Sequence, residues 1–166
     1  MNPLTHAILI TWRRNGGYGR RLVEDLSRDQ WLGQPVPGRV MNHPAWIVSH
    51  LNVYAPIASA MLRRKPFADP FDARYGQQSK VSLDASEYRP GEELLAEYSR
   101  LHDEALAALE ASDAEVLAEA NPLDRWRAVH PTVGDMLVTL MVKHESGHLG
   151  QLSAWRRAMG LPPVAV

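Results

Sequence analysis

The fold is decided by a stretch that runs from Thr132 to Gly160 and reads TVGDMLVTLMVKHESGHLGQLSAWRRAMG. Its large apolar residues recur every three or four positions, which is the spacing of one face of an α-helix. They are Val133, Met136, Leu137, Leu140, Met141, Leu152, Trp155 and Met159. The spacing therefore predicts one long amphipathic helix whose apolar stripe faces a protein core.

Two histidines four residues apart, His144 and His148, fall on that apolar stripe between Met141 and Leu152. Residues at this spacing are neighbours on one helix face, with roughly 5–6 Å between their Cβ atoms. Both imidazoles can therefore reach one metal ion at a Zn–N distance of about 2.0–2.1 Å. Since a buried polar group without a partner is costly, the pair needs partners inside the protein. Either both histidines are hydrogen-bonded core residues or they share a metal ion, and a third ligand elsewhere would favour the metal.

The composition indicates a single domain and excludes several classes of function. The chain has 166 residues, 45% of them hydrophobic, a formal net charge of -1 and no cysteine. A domain of this length buries a sizeable core. The absence of cysteine excludes disulfides, thiolate ligands and Cys nucleophiles, so a transition-metal site must use imidazole and oxygen ligands. No basic block stands out, and we do not expect nucleic-acid binding.

The sequence shows neither a signal-peptide pattern nor an apolar run that predicts a membrane span. Arg13 and Arg14 interrupt the short apolar stretch near the amino terminus. No apolar run reaches the length that a bilayer requires. We therefore expect a cytoplasmic protein that does not interact with membranes.

Two amphipathic helices are predicted in the first part of the chain. One spans about residues 3–26, and its Gly16 and Gly17 indicate either close helix packing, which we favour, or a bend. The other begins at Asn42, a strong N-cap residue. Pro56 lies within this second helix and should bend it, because proline removes one backbone hydrogen bond.

Two more helices and a long connection complete the predicted pattern. A third long helix spans about residues 90–109, and a short helix covers residues 113–119. Thr132-Val133-Gly134-Asp135 resembles a capping box and starts the last long helix. The connection over residues 65–89 is long for a compact domain. It is either a cover over a functional site or a crossover that joins two parallel helices.

These elements predict an all-α protein, because no strand pattern, internal repeat or low-complexity tract appears. Four long amphipathic helices predict a four-helix bundle with a long connection between helices 2 and 3, in one domain over residues 1–166. The long connection allows a bundle in which consecutive helices are not neighbours. Large side chains such as Trp126 and Trp155 exceed what one bundle covers, which favours a homodimer.

The positions of three other histidines on the predicted helices can be interpreted. His50 falls on the inward stripe of the second helix, one turn after Trp46, and taken alone it is a core or cavity residue. His43 lies at the start of that helix, which indicates a capping or surface group. His102 stands next to Asp103 in the third helix, and we expect it to point outward.

Three stretches resemble motifs of the DinB-like family. NHPAWIVSHL, over Asn42–Leu51, resembles the second-helix motif of that family. FDARYG, over Phe71–Gly76, resembles its conserved crossover, and the stretch from Thr132 to Leu152 is similar to its last helix. The resemblance covers essentially the whole chain, with the motifs in the right order. The family name derives from damage inducibility and does not imply DNA binding or polymerase activity.

The resemblance implies a ligand set and a class of chemistry. Members of the family are four-helix bundles, often dimeric, that hold a divalent metal ion with three histidines, which here correspond to His50, His144 and His148. The wider superfamily includes mycothiol-dependent maleylpyruvate isomerase and bacillithiol transferases, in which the metal is thought to activate a low-molecular-weight thiol. A divalent transition metal is therefore expected, with zinc or nickel as first candidates and iron as a third, together with a small-molecule substrate.

Three functions are compatible with these residues. The first is a metal-dependent enzyme, such as a thiol-dependent S-transferase acting on small electrophiles, because three protein ligands leave coordination positions open. We expect residues 65–89 and the first helix near Trp12 and Tyr18 to line its substrate cleft.

The second function is a non-enzymatic, stress-related metal-binding module. The third is a zinc peptidase, because His144-Glu145-Ser146-Gly147-His148 matches H-E-x-x-H. We favour the peptidase least, since the match is short and no strand surrounds it. Successive helical residues are also turned by about 100°, which places Glu145 at a helix interface or behind the ligands.

Overall fold

Four long helices form the fold in the computed structural model, which describes residues 2–165. Helices α1, α2 and α3 span Pro3–Val23, Pro44–Leu62 and Gly91–Ala111. The last long helix covers residues 133–158 without a break and consists of α4 (Val133–Leu137), a π-helical segment (Val138–His144) and α5 (Glu145–Ala158). Within the described residues there is no strand, only an isolated bridge between Ala120 and Thr132. The predicted all-α four-helix bundle is confirmed.

Only one pair of consecutive helices lies side by side in this bundle, namely α2 and α3. Helices α1 and α2 lie diagonally, and each of them packs against both α3 and the last helix. Helices α2 and α3 run parallel, since their first halves belong to one apolar cluster and their second halves to the other. The long connection after α2 therefore returns along the length of the bundle, as the crossover alternative stated, and it contains two short 3-10 turns, Pro70–Asp72 and Ala85–Glu87. The arrangement places α2 and the last helix side by side, so their inward histidines can meet.

The start of α2 differs from the prediction. The helix begins at Pro44, and its N-cap is His43, not Asn42. The Nδ1 atom of His43 accepts a hydrogen bond from the backbone N–H of Trp46 at 3.3 Å, while its Nε2–H donates to the Ser82 carbonyl at 2.8 Å. His43 is therefore a capping group, as one of our two alternatives stated, but it is fully buried under the long connection.

The other helix ends show which local signals decide a boundary. Thr132 and Asp135 form the predicted capping box, in which each side chain accepts a hydrogen bond from the other residue's backbone N–H. The last helix is followed by Gly160, whose φ of +73° lies in the left-handed region that favours glycine. The short helix predicted over residues 113–119 is only a 3-10 turn, Val116–Ala118. Pro56 lies inside α2, which continues through it.

Helix α2 is strongly apolar. By length and composition it is apolar enough to cross a membrane, with a mean hydropathy of 1.2, which our sequence analysis did not recognise. However, 67% of that apolar window is buried inside the bundle. Its apolar surface is therefore covered by the other helices and by the connection.

The core has two apolar clusters with a polar layer between them. One cluster contains the first half of α1 and the second halves of α2 and α3, and the other contains the opposite halves. On the last helix the change from one cluster to the other falls between Met141 and Leu149. His50, His102 and Glu145 are buried near this change on their helices. The polar side chains therefore share one level of the bundle.

The side-chain argument for a homodimer is partly wrong. Trp155 is only 1% exposed, and its indole N–H donates to the Gly33 carbonyl at 2.8 Å. Trp126 is half-buried at the edge of a cleft described below. The bundle therefore covers Trp155 and only partly covers Trp126, and the homodimer stays a prediction.

Helices α1 and α3 approach closely at Gly16. A Cβ atom at this position would lie 2.7 Å from Nδ1 of His102, whose ring stacks on Trp12 with 3.6 Å between ring centroids. At Gly17 a Cβ would meet only the side chain of Arg21, at 3.4 Å. Close packing, the explanation that we favoured, therefore applies to Gly16 and not to Gly17.

Alanine substitutions at these two glycines should change stability in opposite directions. Gly17→Ala should raise the free energy of unfolding by roughly 0.5–1 kcal/mol, because it removes the cost of glycine in a helix interior. Gly16→Ala makes the same gain but overpacks the stacked His102 ring at a cost of about 1–3 kcal/mol, so a net loss of up to roughly 2 kcal/mol is expected. Urea unfolding followed by circular dichroism measures both. Equal stabilisation by the two substitutions would show that α1 and α3 are not held this close.

Candidate metal centre

The structure brings His50, His144 and His148 together between α2 and the last helix. One ring nitrogen from each residue lies within 4.8 Å of the other two. The Nε2 atoms of His50 and His144 are 2.9 Å apart, and the three ring centroids are separated by 4.6–4.9 Å. Three imidazoles at these separations can hold one metal ion.

The orientation of His50 is set by the long connection. Its Nδ1 lies 2.6 Å from the carbonyl oxygen of Tyr75, to which the Nδ1–H donates. A neutral imidazole carries one N–H and one lone pair. The lone pair of His50 is therefore on Nε2 and points toward His144, which is the arrangement that outer hydrogen bonds produce for histidine metal ligands.

The hydrogen bonds of the other two histidines differ from those of His50. His148 Nδ1 lies 3.1 Å from the side-chain oxygen Oε1 of Gln151, which leaves Nε2 unprotonated. Nδ1 of His144 is buried without a hydrogen-bond partner among the described residues. Two Nε2 atoms 2.9 Å apart need a proton or a cation between their lone pairs. The donor set of three neutral imidazoles fits a divalent transition metal.

Burial keeps all three rings neutral. Loss of hydration lowers the pKa of His50 to about 4 and that of His144 to about 3, and the neighbouring His148 acts in the same direction on both. The pKa of His148 is also lowered, chiefly by burial. Because all three values lie below neutral pH, the lone pairs that a metal requires are available there.

A π-helical segment ends at the first histidine of the last helix. It covers Val138–His144, and the backbone N–H of Glu145 bonds back to the carbonyl of Leu140, five residues earlier. The sequence predicted a regular α-helix here, since the apolar spacing of the segment does not distinguish the two forms. π-Helical turns inside α-helices are rare and are found frequently at functional sites.

A cleft of about 480 Å³ opens beside the three histidines. The ring of Trp46 stacks on His50, with 4.8 Å between centroids, and the ring of Tyr54 lies 4.8 Å from His50 and 4.7 Å from His144. The remaining lining residues come from the last helix, the long connection and the loop before the last helix. They are Gln77, Leu123, Arg125, Trp126, Met136, Thr139, Leu140, Lys143, Gly147 and Gln151.

Of the two walls predicted for the cleft, the structure contains the long connection but not the first helix. The long connection contributes Gln77 to the lining, as expected. The first helix does not line the cleft: Trp12 is buried and its indole N–H donates to the His102 carbonyl, while Tyr18 packs against the apolar cluster formed with the start of α2. The reason is the diagonal position of α1, which faces α3 and the other side of the last helix.

Glu145 lies on that other side of the last helix. It is 3% exposed, and its Oε1 accepts hydrogen bonds from the Tyr98 hydroxyl at 2.6 Å and from Nε2 of His102 at 2.9 Å. Burial and the neighbouring Glu145 carboxyl raise the pKa of Tyr98 well above its usual value. The helix-interface position that we expected for Glu145 is confirmed, and the cleft lining contains no glutamate. The geometry therefore gives the H-E-x-x-H match no general base at the three histidines.

The prediction that His102 points outward is wrong. The side chain is 3% exposed and packs between α1 and α3. The outward prediction was based on the charged neighbour Asp103, which is itself exposed. The spacing Tyr98, Leu101, His102, Ala105 follows the i, i+3, i+4, i+7 pattern of a buried helix face and would have indicated the correct side.

Comparison with known proteins assigns the family. The model of the DinB superfamily matches residues 12–152, which include all three histidines and most of the bundle. The chain belongs to the DinB superfamily. None of the curated proteins compared with it matches the chain significantly. The family expected from the three sequence motifs is confirmed.

The Glu145 network should contribute to stability. Glu145→Ala leaves the Tyr98 hydroxyl and the His102 ring N–H buried without an acceptor, at a cost of about 1–3 kcal/mol for each group. A loss of roughly 2–6 kcal/mol in the free energy of unfolding is therefore expected. Glu104→Ala, which removes an exposed ion pair with Arg100, is the control and should change stability by less than about 1 kcal/mol. Denaturant unfolding measures both, and similar losses would mean that the buried network is not a stabilising one.

Proposed function

We propose that this protein is a metal-dependent enzyme that binds one divalent transition metal ion through His50, His144 and His148. The supporting observation is the convergence of three neutral imidazoles beside a cleft of about 480 Å³. Zinc and nickel are the first candidates for the metal and iron is the third, since imidazole suits all of them.

The cleft favours an enzyme over a metal-binding module. A module that only stores or senses metal needs no space beside its ligands, whereas a substrate does. Here a volume of about 480 Å³ adjoins the histidines, and its walls are largely aromatic and aliphatic with a few polar groups. Small-molecule sites commonly have this composition.

The chain's own residues orient the site and shape its surroundings. The Tyr75 carbonyl and the Gln151 side chain fix which nitrogen of His50 and of His148 is free. Trp46 and Tyr54 pack against the imidazole rings and limit their rotation. When bound, a divalent ion supplies positive charge that lowers the pKa of a water or thiol. Because the three histidines are neutral, they do not offset that charge.

We further propose that the reaction is transfer of a low-molecular-weight thiol to a small electrophile. The protein has no cysteine, so the sulfur must come from a molecule in solution. In such a reaction the thiol loses its proton to solvent, the sulfur forms a bond to the electrophilic carbon, and a leaving group departs with its electron pair. The cleft has room for the electrophile beside the histidines.

Single substitutions of the three histidines should remove the metal. His50→Ala, His144→Ala and His148→Ala are each expected to retain less than about a tenth of the bound ion, because each removes one of three ligands. His6→Ala, on the exposed face of α1, is the matched control and should keep full stoichiometry. Elemental analysis of protein purified without a histidine tag measures the content.

Melting temperatures give a second measure of metal binding. An ion that binds only the folded state stabilises it, so adding the metal should raise the melting temperature of the wild type and of His6→Ala but not that of the three variants. Full metal content in His50→Ala would remove that residue from the ligand set.

Thiol binding and turnover test the proposed reaction. Cobalt-loaded protein should change its visible absorption on addition of cysteine or glutathione, and it should accelerate the reaction of the thiol with 1-chloro-2,4-dinitrobenzene, in which chloride leaves. The metal-free protein and cobalt-treated His144→Ala are the controls. If neither thiol alters the spectrum, and product forms at the same rate with and without protein, the transferase proposal fails and a metal-binding module becomes the better explanation.

A further inference from the structure

The cleft beside the histidines has an unusual balance of charge. Three other clefts within residues 2–165 are lined by equal numbers of basic side chains (Arg, Lys) and acidic side chains (Asp, Glu). The cleft that contains Arg64 has three basic and three acidic side chains, and the clefts that contain Arg74 and Arg28 each have two basic and two acidic ones. The cleft at the histidines is lined by Arg125 and Lys143 and by no carboxylate. No negative charge in the lining therefore balances these two cations.

Lys143 is the cation without a partner. It is exposed, it precedes His144 directly in the chain, and none of the hydrogen bonds or ion pairs within the described residues involves its ammonium group. Arg125, the other cation in the lining, is by contrast paired with Asp69. An ammonium at the mouth of a partly apolar cleft attracts anions more strongly than one in open water, since the surrounding dielectric is lower.

Arg125 is a rigid donor with capacity left over. Its Nε and one terminal nitrogen donate to Asp69, and the other terminal nitrogen donates to Gln77 at 2.9 Å. The guanidinium also packs over the rings of Phe71 and Trp126, at 4.9 and 5.1 Å from their centroids. A guanidinium has five N–H groups, so these three bonds leave two for a ligand. Asp69 lines the neighbouring cleft and not the cleft at the histidines, whereas Arg125 lines both.

The Tyr54 hydroxyl is a third donor on the same wall. None of the hydrogen bonds within residues 2–165 uses it, although its ring is packed between His50 and His144. The apolar lining nearby includes Leu123, which is buried, and Trp126, which is half-buried. Positive charge, open donors and an apolar wall therefore occur together in one cleft.

We propose that this cleft binds small organic carboxylates, with the anionic group at Lys143, Arg125 and Tyr54 and the apolar body against Leu123 and Trp126. Two cations opposed by Asp69 leave about one positive charge, which matches a carboxylate better than a doubly charged phosphate. The inference rests on the proposed function in one respect, since it names the substrate class of the same site. The anion subsite itself consists of protein side chains and does not require the metal.

The test compares an acid with its neutral analogue. Calorimetric titration with 3-phenylpropionate, 3-phenylpropanamide and phenyl phosphate is carried out on zinc-loaded and on metal-free protein at low salt. In both forms the acid should bind about tenfold more tightly than the amide, as expected for one or two charge-assisted contacts. Retention of the preference without zinc separates the anion subsite from direct binding of a carboxylate to the metal.

Variants assign the preference to the named side chains. Lys143→Met should reduce the ratio of acid to amide affinity about fivefold or more, and Tyr54→Phe should reduce it by about half that factor on the scale of a single hydrogen bond. Lys65→Met, an exposed lysine of the neighbouring cleft, is the control and should leave the ratio unchanged. Lys143→Met and Tyr54→Phe should have the melting temperature of the wild type, because neither substitution removes a hydrogen bond or an ion pair from the described residues.

Three outcomes would overturn the inference. The first is equal affinity for the acid and the amide, or no binding of either. The second is an unchanged ratio of acid to amide affinity in Lys143→Met. The third is tighter binding of phenyl phosphate than of 3-phenylpropionate. Failure of zinc binding or of thiol transfer is a separate result. It contradicts the proposed enzyme, while the metal-free titrations still decide whether the cleft selects carboxylates.

Discussion

The hydrogen bond from Nδ1 of His50 to the Tyr75 carbonyl, 2.6 Å long, connects the two parts of the molecule on which the site depends. It joins the long connection to α2, and it leaves the Nε2 lone pair of His50 directed at His144. The connection exists because α2 and α3 are parallel neighbours, so the chain must return along the bundle before α3 begins. The topology that requires a long crossover thus also provides the backbone acceptor that orients a metal ligand.

Near His144, the last helix has polar side chains on two of its faces. On one side His144 approaches His50 to 2.9 Å beside the cleft, and on the other side Glu145 accepts hydrogen bonds from Tyr98 and His102. Adjacent residues on a helix point about 100° apart, so one short segment serves both the cleft and the helix interface. The Glu145 network fixes this segment against α3, and thereby holds the His144 backbone in place without entering the cleft.

The sequence was sufficient for the parts of the fold that depend on local chemistry. Apolar spacing predicted the four helices, and the Thr132 capping box and Gly160 marked where the last one begins and ends. Spacing also placed His144 and His148 on one face, while the choice of His50 came from the family resemblance. The sequence did not reveal the π-helical segment, because Val138–His144 has the composition of an ordinary α-helix. Nor did it place Trp12, whose neighbours depend on which helices are diagonal.

The charge around the cleft could not be predicted either, because it depends on residues far apart in the chain. Arg125 lies in a loop before the last helix, and Asp69 and Gln77 lie in the connection, 56 and 48 residues away. Only the folded structure shows that Asp69 holds Arg125 from the neighbouring cleft while Lys143 stays unpaired. A carboxylate placed inside the cleft would compete for the positive charge that the three neutral histidines leave available. The nearest carboxylate to Arg125, that of Asp69, lines the neighbouring cleft instead. The positive charge of the cleft at the histidines is therefore available to the anionic substrate that we propose to bind beside the metal ion.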